Sequence, residues 1–212
     1  MAANAVIFDF GGVFIDSPFT ALVEAAVARD LDPTEMLHII FGPYDQDTDH
    51  PWHRLERGEV TVMEARDEIV ASSTRDGGPA IDPFELLAAL SGSEVRPEMV
   101  EFCRGLRDRG IATGLLTNNA KEFEEFWRPL LPLDELFDDV IDSSAVGLRK
   151  PDPRIYHLAL ERLGVAAADT VFIDDAAGNV AGAERVGIRG VLIGPQRSDV
   201  AAALQELQRQ VA

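Results

Sequence analysis

The chain has 212 residues, 46% of them hydrophobic, and a formal net charge of −18. That length and apolar content suffice to bury the core of one domain, or of one domain with an insertion. The negative charge opposes partnership with nucleic acid or an anionic membrane, whose phosphates are met by cationic surfaces. Cys103 is the only cysteine, which excludes an intrachain disulfide and favours a reducing compartment. No apolar stretch reaches the roughly 18 residues of a membrane span, and the first residues lack the cationic-then-apolar pattern of an export signal. A cytoplasmic location is the resulting expectation.

In chain order, the first predicted element is the apolar run at residues 5–8, short enough to be either a doubly buried strand or a piece of core helix. Read as a strand, it delivers Asp9 to a turn made by Gly11 and Gly12, at the carboxyl edge where open α/β sheets bind ligands. Helices are predicted at residues 20–31 and 33–41, the latter with Pro33 in its first turn. Residues 42–51 are rich in breakers and read as a loop. A short helical turn at 52–57 ends at Gly58. Thr61 and Glu64 then make a capping-box pattern ahead of a helix to residue 72. Residues 73–79 read as a linker, and Asp82 caps a helix over 83–90.

The second half alternates. A helix at 96–109, stopped by Gly110, carries Cys103 between apolar neighbours as an inert thiol. The strand at 111–116 ends at Thr117-Asn118-Asn119 and is followed by a helix over 120–131 and a short strand at 139–141. Pro151 or Asp152 opens a helix to residue 163, and a strand at 170–173 ends at Asp174-Asp175. A helix at 179–186, a strand at 188–193 and a helix at 198–211 complete the chain. Strands separated by helical patterns predict an α/β fold with a doubly wound parallel sheet. The core then comprises residues 1–16 and 92–212, with an all-helical insertion at 17–91.

Three strands thus end in polar clusters: Asp9, Thr117-Asn118 and Asp174-Asp175. Side by side in a parallel sheet they converge on one pocket, with Lys150 at the start of a helix as the local cation. Carboxylates, a hydroxyl, an amide and a lysine suit a hard divalent cation and a phosphoryl group. Taken singly, Thr117 and Asn118 also fit helix caps, Asp174 and Asp175 turn residues, and Lys150 a solvated lysine. Their joint placement after strands is what points to a site.

The order Asp9-Phe10-Gly11-Gly12-Val13, Leu116-Thr117-Asn118-Asn119, Arg149-Lys150-Pro151-Asp152-Pro153 and Phe172-Ile173-Asp174-Asp175-Ala176-Ala177-Gly178-Asn179 resembles the four motifs of the haloacid dehalogenase-like hydrolases. The helical insertion, with Leu55-Glu56-Arg57-Gly58 and Val95-Arg96-Pro97, is similar to the small cap of the subgroup that contains the phosphatase domain of soluble epoxide hydrolase and certain sugar-phosphate phosphatases. The resemblance implies a Rossmann-like core with a helical cap and a magnesium-dependent phosphatase of a small phosphorylated metabolite. Asp9 is then the nucleophile that forms an aspartyl-phosphate. Asp9, the Gly11 carbonyl and Asp175 hold Mg2+; Thr117, Asn118 and Lys150 hold the phosphoryl oxygens; Asp174 and Asn179 support them from outside.

One position departs from the pattern. Most phosphatases of the superfamily carry an acid/base aspartate two residues after the nucleophile, where this chain has Gly11. Asp16, His50 and His53 are the candidate substitutes, and Phe19, Tyr44, Trp52 and His53 the candidate substrate contacts. Two rival readings follow: a non-catalytic phosphate- or metal-binding protein, and a metal-free haloacid dehalogenase that turns Asp9 against carbon. The pattern leaves the metabolite and the oligomeric state open.

Overall fold

A computed structural model describes residues 2–28, 30–75, 80–84 and 94–212. Five strands form one sheet: β1 (Ala5–Phe8), β2 (Ala112–Thr117), β3 (Asp139–Asp142), β4 (Thr170–Asp174) and β5 (Arg189–Leu192), in the order β3-β2-β1-β4-β5. Every pairing is parallel. The sheet alternation is visible in β1, where Val6 and Phe8 enter one apolar cluster and Ile7 the other. Helices therefore cover both faces, as a parallel sheet requires.

Helix α5 (Pro97–Asp108) and the last helix, α11 (Arg197–Gln210), pack Met99, Cys103, Leu106, Val200 and Leu207 against the first face. On the second, α9 (Pro153–Leu163) and α10 (Ala177–Arg185) contribute Ile155, Tyr156, Ala159 and Ala183. Cys103 is fully buried, its Sγ 3.2 Å from the Leu136 carbonyl, and burial pushes its thiol up to about 12. Such a thiol is inert at neutral pH.

Between β1 and α5 the described residues contain helices and no strand: α1 (Pro18–Val27), α2 (Pro33–Phe41), α3 (Pro51–Glu56) and α4 (Val62–Ser73). Local chemistry explains their starts. Asp32 accepts from the Glu35 N–H at 2.8 Å, with Pro33 in the first turn, and Thr61 and Glu64 close the capping box. Leu22, Met36, Ile40, Trp52, Leu55 and Ile69 form an apolar cluster of their own. Asp82 accepts from the Phe84 N–H, as a cap does, but residues 85–90 of the helix expected there lie outside the described residues.

The helix expected over 120–131 is instead three pieces: a 3-10 turn at Lys121–Phe123, the single turn α6 (Glu124–Trp127) and a second 3-10 turn at Arg128–Leu130. Pro129 has no N–H to donate and its ring clashes with the preceding turn, so a regular helix cannot pass through it. Two further single turns, α7 (Leu133–Leu136) and α8 (Ser143–Val146), were too short to show a period in the sequence. No helix among the described residues is long and apolar enough to cross a membrane.

Candidate active site

The register of the sheet builds the site. Phe8 lies opposite Leu115 on one side and Ile173 on the other. The next residues, Asp9, Leu116 and Asp174, therefore come level at the carboxyl edge, and Thr117 and Asp175 follow one step beyond. A cavity of about 530 Å³ opens there, with Asp9, Gly11, Thr117, Asn118, Lys150, Asp175 and Asn179 among its lining residues.

Lys150 is fully buried, and its Nζ donates to Asp9 Oδ1 at 2.7 Å, Asp174 Oδ2 at 2.7 Å and the Leu116 carbonyl at 2.8 Å. All three ammonium protons are thus used. Asp174 also accepts from the Ala176 N–H at 2.8 Å and from Asn179 Nδ2 at 3.1 Å, so its oxygens are taken by protein. Asp175 accepts from the Ser17 hydroxyl at 2.5 Å. Gly12 makes room for this arrangement: at φ +71 it has the backbone glycine adopts most readily, and a Cβ there would sit 2.2 Å from Asp175 Oδ2.

Ligand atoms of Asp9, Asp174 and Asp175 all lie within 4.8 Å of one another, a spacing suited to one hard cation. With Asp174 tied to Lys150 and Asn179, Asp9 and Asp175 are the carboxylates best placed to hold it. Burial pushes the Asp9 carboxyl up to about 8; the charges of Asp174 and Asp175 add to this, and Lys150 only partly offsets it. Asp175 rises to about 7, first through burial and then through Asp174. Burial works against the Lys150 ammonium, but Asp174 and Asp9 outweigh it and hold the group above its ordinary range.

The remaining residues singled out in the sequence divide. Thr117 is buried at the end of β2 and lines the cavity. The Asn118 side chain clamps the Lys150 backbone, donating to its carbonyl at 3.0 Å and accepting from its N–H at 2.8 Å. That clamp takes one of the two amide hydrogens, and Asn118 also lines the cavity, so the second N–H stays available to a phosphoryl oxygen. None of the three acid/base substitutes lines the cavity. Asp16 pairs with Arg96 at 3.2 Å and is 66% exposed. His50 caps α3, with Nδ1 accepting from the Trp52 N–H. His53 packs beneath it, accepting from the Thr48 N–H, and burial pushes its imidazole down to about 3. His53 is thus also removed from the substrate contacts, while Phe19, Tyr44 and Trp52 do line the cavity.

Several lining residues were not read from the sequence: Phe10, Ile15, Phe41, Glu56, Phe123, Phe126 and Leu130. Glu56 is the most informative. It is buried, accepts from Trp52 Nε1 at 3.0 Å and takes Arg149 Nε at 2.6 Å. Arg149 also donates to the Gln46 carbonyl at 2.9 Å. The residue beside Lys150 is therefore bound to the helical stretch that covers the cavity. A buried acid facing a buried base from distant segments leaves no periodic signal.

A profile of the haloacid dehalogenase-like hydrolases matches residues 3–187. The chain is 32% identical to acyl-CoA dehydrogenase family member 10 of Mus musculus over 90% of its own length, and spans 18% of that much longer protein. It is 30% identical to a phosphatase of Mycobacterium tuberculosis, covering 98% of this chain and 96% of the other. Among solved structures, an L-2-haloacid dehalogenase superposes with a TM-score of 0.68 at 23% identity, covering 98% of this chain and 100% of that one. A magnesium complex of an enzyme from Bacteroides thetaiotaomicron superposes with a TM-score of 0.63 at 21% identity, over 93% and 96% of the two chains. These structural likenesses establish the fold. With the profile covering β1 to β4 and every residue of the carboxyl-edge cluster, the chain belongs to the haloacid dehalogenase-like hydrolase family.

Proposed function

We propose that the protein is a magnesium-dependent phosphatase of a small phosphorylated metabolite, working through an aspartyl-phosphate on Asp9. The observation that carries this reading is the pairing of Asp9 with Lys150 at 2.7 Å inside a cluster of three carboxylates within 4.8 Å. Relatives that include a phosphatase of nearly the same length support it. A bound Mg2+ supplies the positive charge that lets Asp9 and Asp175 ionise together and shields the nucleophile from an incoming phosphate dianion. Asp9, Asp175 and the Gly11 carbonyl are the groups that would hold it.

Lys150 holds Asp9 Oδ1 and leaves Oδ2 to attack phosphorus, forming an O–P bond as the bond to the leaving oxygen breaks. Thr117 and the main chain beyond β2 face the phosphoryl oxygens, and Asn118 fixes Lys150 by its backbone. Water then attacks the same phosphorus, and Asp9 departs with its electron pair, freeing phosphate. Residues 17–91 act as the cap over a core of residues 1–16 and 92–212. From that stretch Phe19, Phe41, Tyr44, Trp52 and Glu56 line the cavity, which limits water at the reacting centre.

Gly11 brings no acid to the leaving oxygen. Of the cavity's other titratable groups, Glu56 has both oxygens engaged, and burial raises the Tyr44 phenol well above its ordinary range. Among esters that the cavity holds equally well, the reaction is therefore faster where the oxygen departs with little help. A panel of phosphate monoesters, assayed with and without Mg2+, tests the reading. Asp9→Asn should abolish phosphate release and Asp175→Ala should abolish its dependence on Mg2+. Full activity in either variant refutes the assignment, and halide release from a 2-haloacid without metal replaces it with dehalogenation.

A further inference from the structure

Resting on the phosphatase reading, we infer that the group carried by the phosphate is apolar: an aliphatic or aromatic monophosphate ester, not a hydroxyl-rich sugar phosphate. Apart from the charged cluster at the sheet edge, the cavity is walled by Phe10, Phe19, Phe41, Trp52, Phe123 and Phe126. Phe19, Phe41, Tyr44 and Trp52 stack edge-on, with ring centroids 4.8–6.1 Å apart, so this wall is a packed apolar surface.

Most of the polar groups within that wall are already committed, the Tyr44 hydroxyl and the Asn119 Nδ2 excepted. Trp52 Nε1 donates to Glu56 Oε1, Arg149 takes Glu56 Oε2, and Asn119 Oδ1 accepts from the Ala120 N–H at 3.0 Å. A sugar entering here would bury several hydroxyls with little beyond Tyr44 and the Asn119 Nδ2 to meet them. Each unpaired hydroxyl weakens binding by roughly 5- to 150-fold. Selective sites place polar groups where a substrate has them, and this one does not.

The mouth points the same way. Phe126 is 73% exposed and Leu130 43% exposed, yet both line the cavity. They lie on the broken stretch after β2, Phe126 in α6 and Leu130 in the 3-10 turn that follows. Large apolar side chains left in water at the rim of an apolar cavity gain by being covered, and an apolar chain extending outward from the phosphate covers them.

The test uses the full chain with Mg2+ and measures kcat/KM on n-alkyl phosphates of two to ten carbons, phenyl phosphate and glucose 6-phosphate. Binding of n-alkyl phosphonates, which cannot be hydrolysed at the P–C bond, is measured in parallel by calorimetry. The expected result is a rise of about three- to fourfold per methylene until the cavity is filled, with glucose 6-phosphate below the longer alkyl esters. In Phe126→Ser/Leu130→Ser the slope should flatten for the longer chains. A flat series, or glucose 6-phosphate as the better substrate, overturns the inference while leaving the phosphatase reading standing. If no ester is hydrolysed, that reading falls and the phosphonates decide: affinity rising with chain length upholds the apolar site, and affinity independent of length overturns it.

Discussion

Replacing Lys150 with methionine isolates the electrostatic demand of the site. Methionine keeps most of the side-chain volume, so little of the effect comes from a cavity, while the ammonium that met Asp9, Asp174 and the Leu116 carbonyl is gone. Removing one partner from a buried ion pair typically costs about 3–5 kcal/mol. The charge that Lys150 balances is substantial: two ionised carboxylates at 4.8 Å, the upper limit of the spacing in the cluster, repel by roughly 3.5 kcal/mol at an effective dielectric of about 20. The loss depends on pH. Asp9 at about 8 and Asp175 at about 7 stand above the unfolded carboxylate value near 4, so the metal-free folded state binds more protons and its stability falls as pH rises through that window. Without Lys150 both carboxyls move higher still, since its charge lowers them. The folded variant then holds more protons than the folded wild type, and the stability gap between them widens from pH 6 to pH 8.5. Urea unfolding of both proteins in chelator at the two pH values reads this directly. A gap below about 1 kcal/mol, or one that narrows as pH rises, refutes the account of a buried cluster held together by Lys150.

Three further outcomes follow. Because a cation must displace the protons that burial keeps on Asp9 and Asp175, the rise in melting temperature caused by Mg2+ should be larger at pH 8.5 than at pH 5.5; an equal rise at both sinks the linkage. Gly12→Ala forces a Cβ to within 2.2 Å of Asp175 Oδ2 at a φ of +71 and should cost about 1–3 kcal/mol; it should also remove the Mg2+ response, and an intact response in a thermal-shift assay contradicts the proposed placement of the metal. Gly11→Asp restores a carboxylate near the leaving oxygen and should accelerate alkyl esters by up to about 10²–10⁴, with a smaller gain for aryl or acyl phosphates; the same factor across a leaving-group series removes the argument about acid catalysis.

The sheet was legible because each strand is a compact apolar run closed by a distinct polar word, and parallel pairing then carries those words to one edge. Asp9, Thr117 and Asp174 needed only strand order to meet. What was hidden depends on contacts between segments far apart in sequence. Arg149 and Glu56 look like ordinary surface charges, yet they form a buried pair at 2.6 Å. The Asn118 amide looks like a ligand group, and it also clamps the backbone of Lys150, a partner 32 positions away. His53 offered an imidazole from a polar loop, but packing against Arg149 and Thr48 keeps it neutral and outside the cavity. The expected helix over 120–131 failed for a local reason that was readable, Pro129.

The charge balance at the sheet edge connects these features. Three carboxylates meet one ammonium, which leaves two negative charges without a partner inside protein. Arg149, the nearest other cation in sequence, adds nothing to that balance because Glu56 neutralises it. Without a metal the cluster can relieve the excess only by keeping protons, which is what the raised Asp9 and Asp175 carboxyls express. On the proposed phosphatase reading, a divalent cation would supply the missing charge in one step and let a phosphate dianion approach a carboxylate nucleophile in a chain whose formal net charge is already −18. The same deficit that costs stability in the metal-free protein would therefore prepare the site to take up metal, and metal in turn would make it receptive to phosphate.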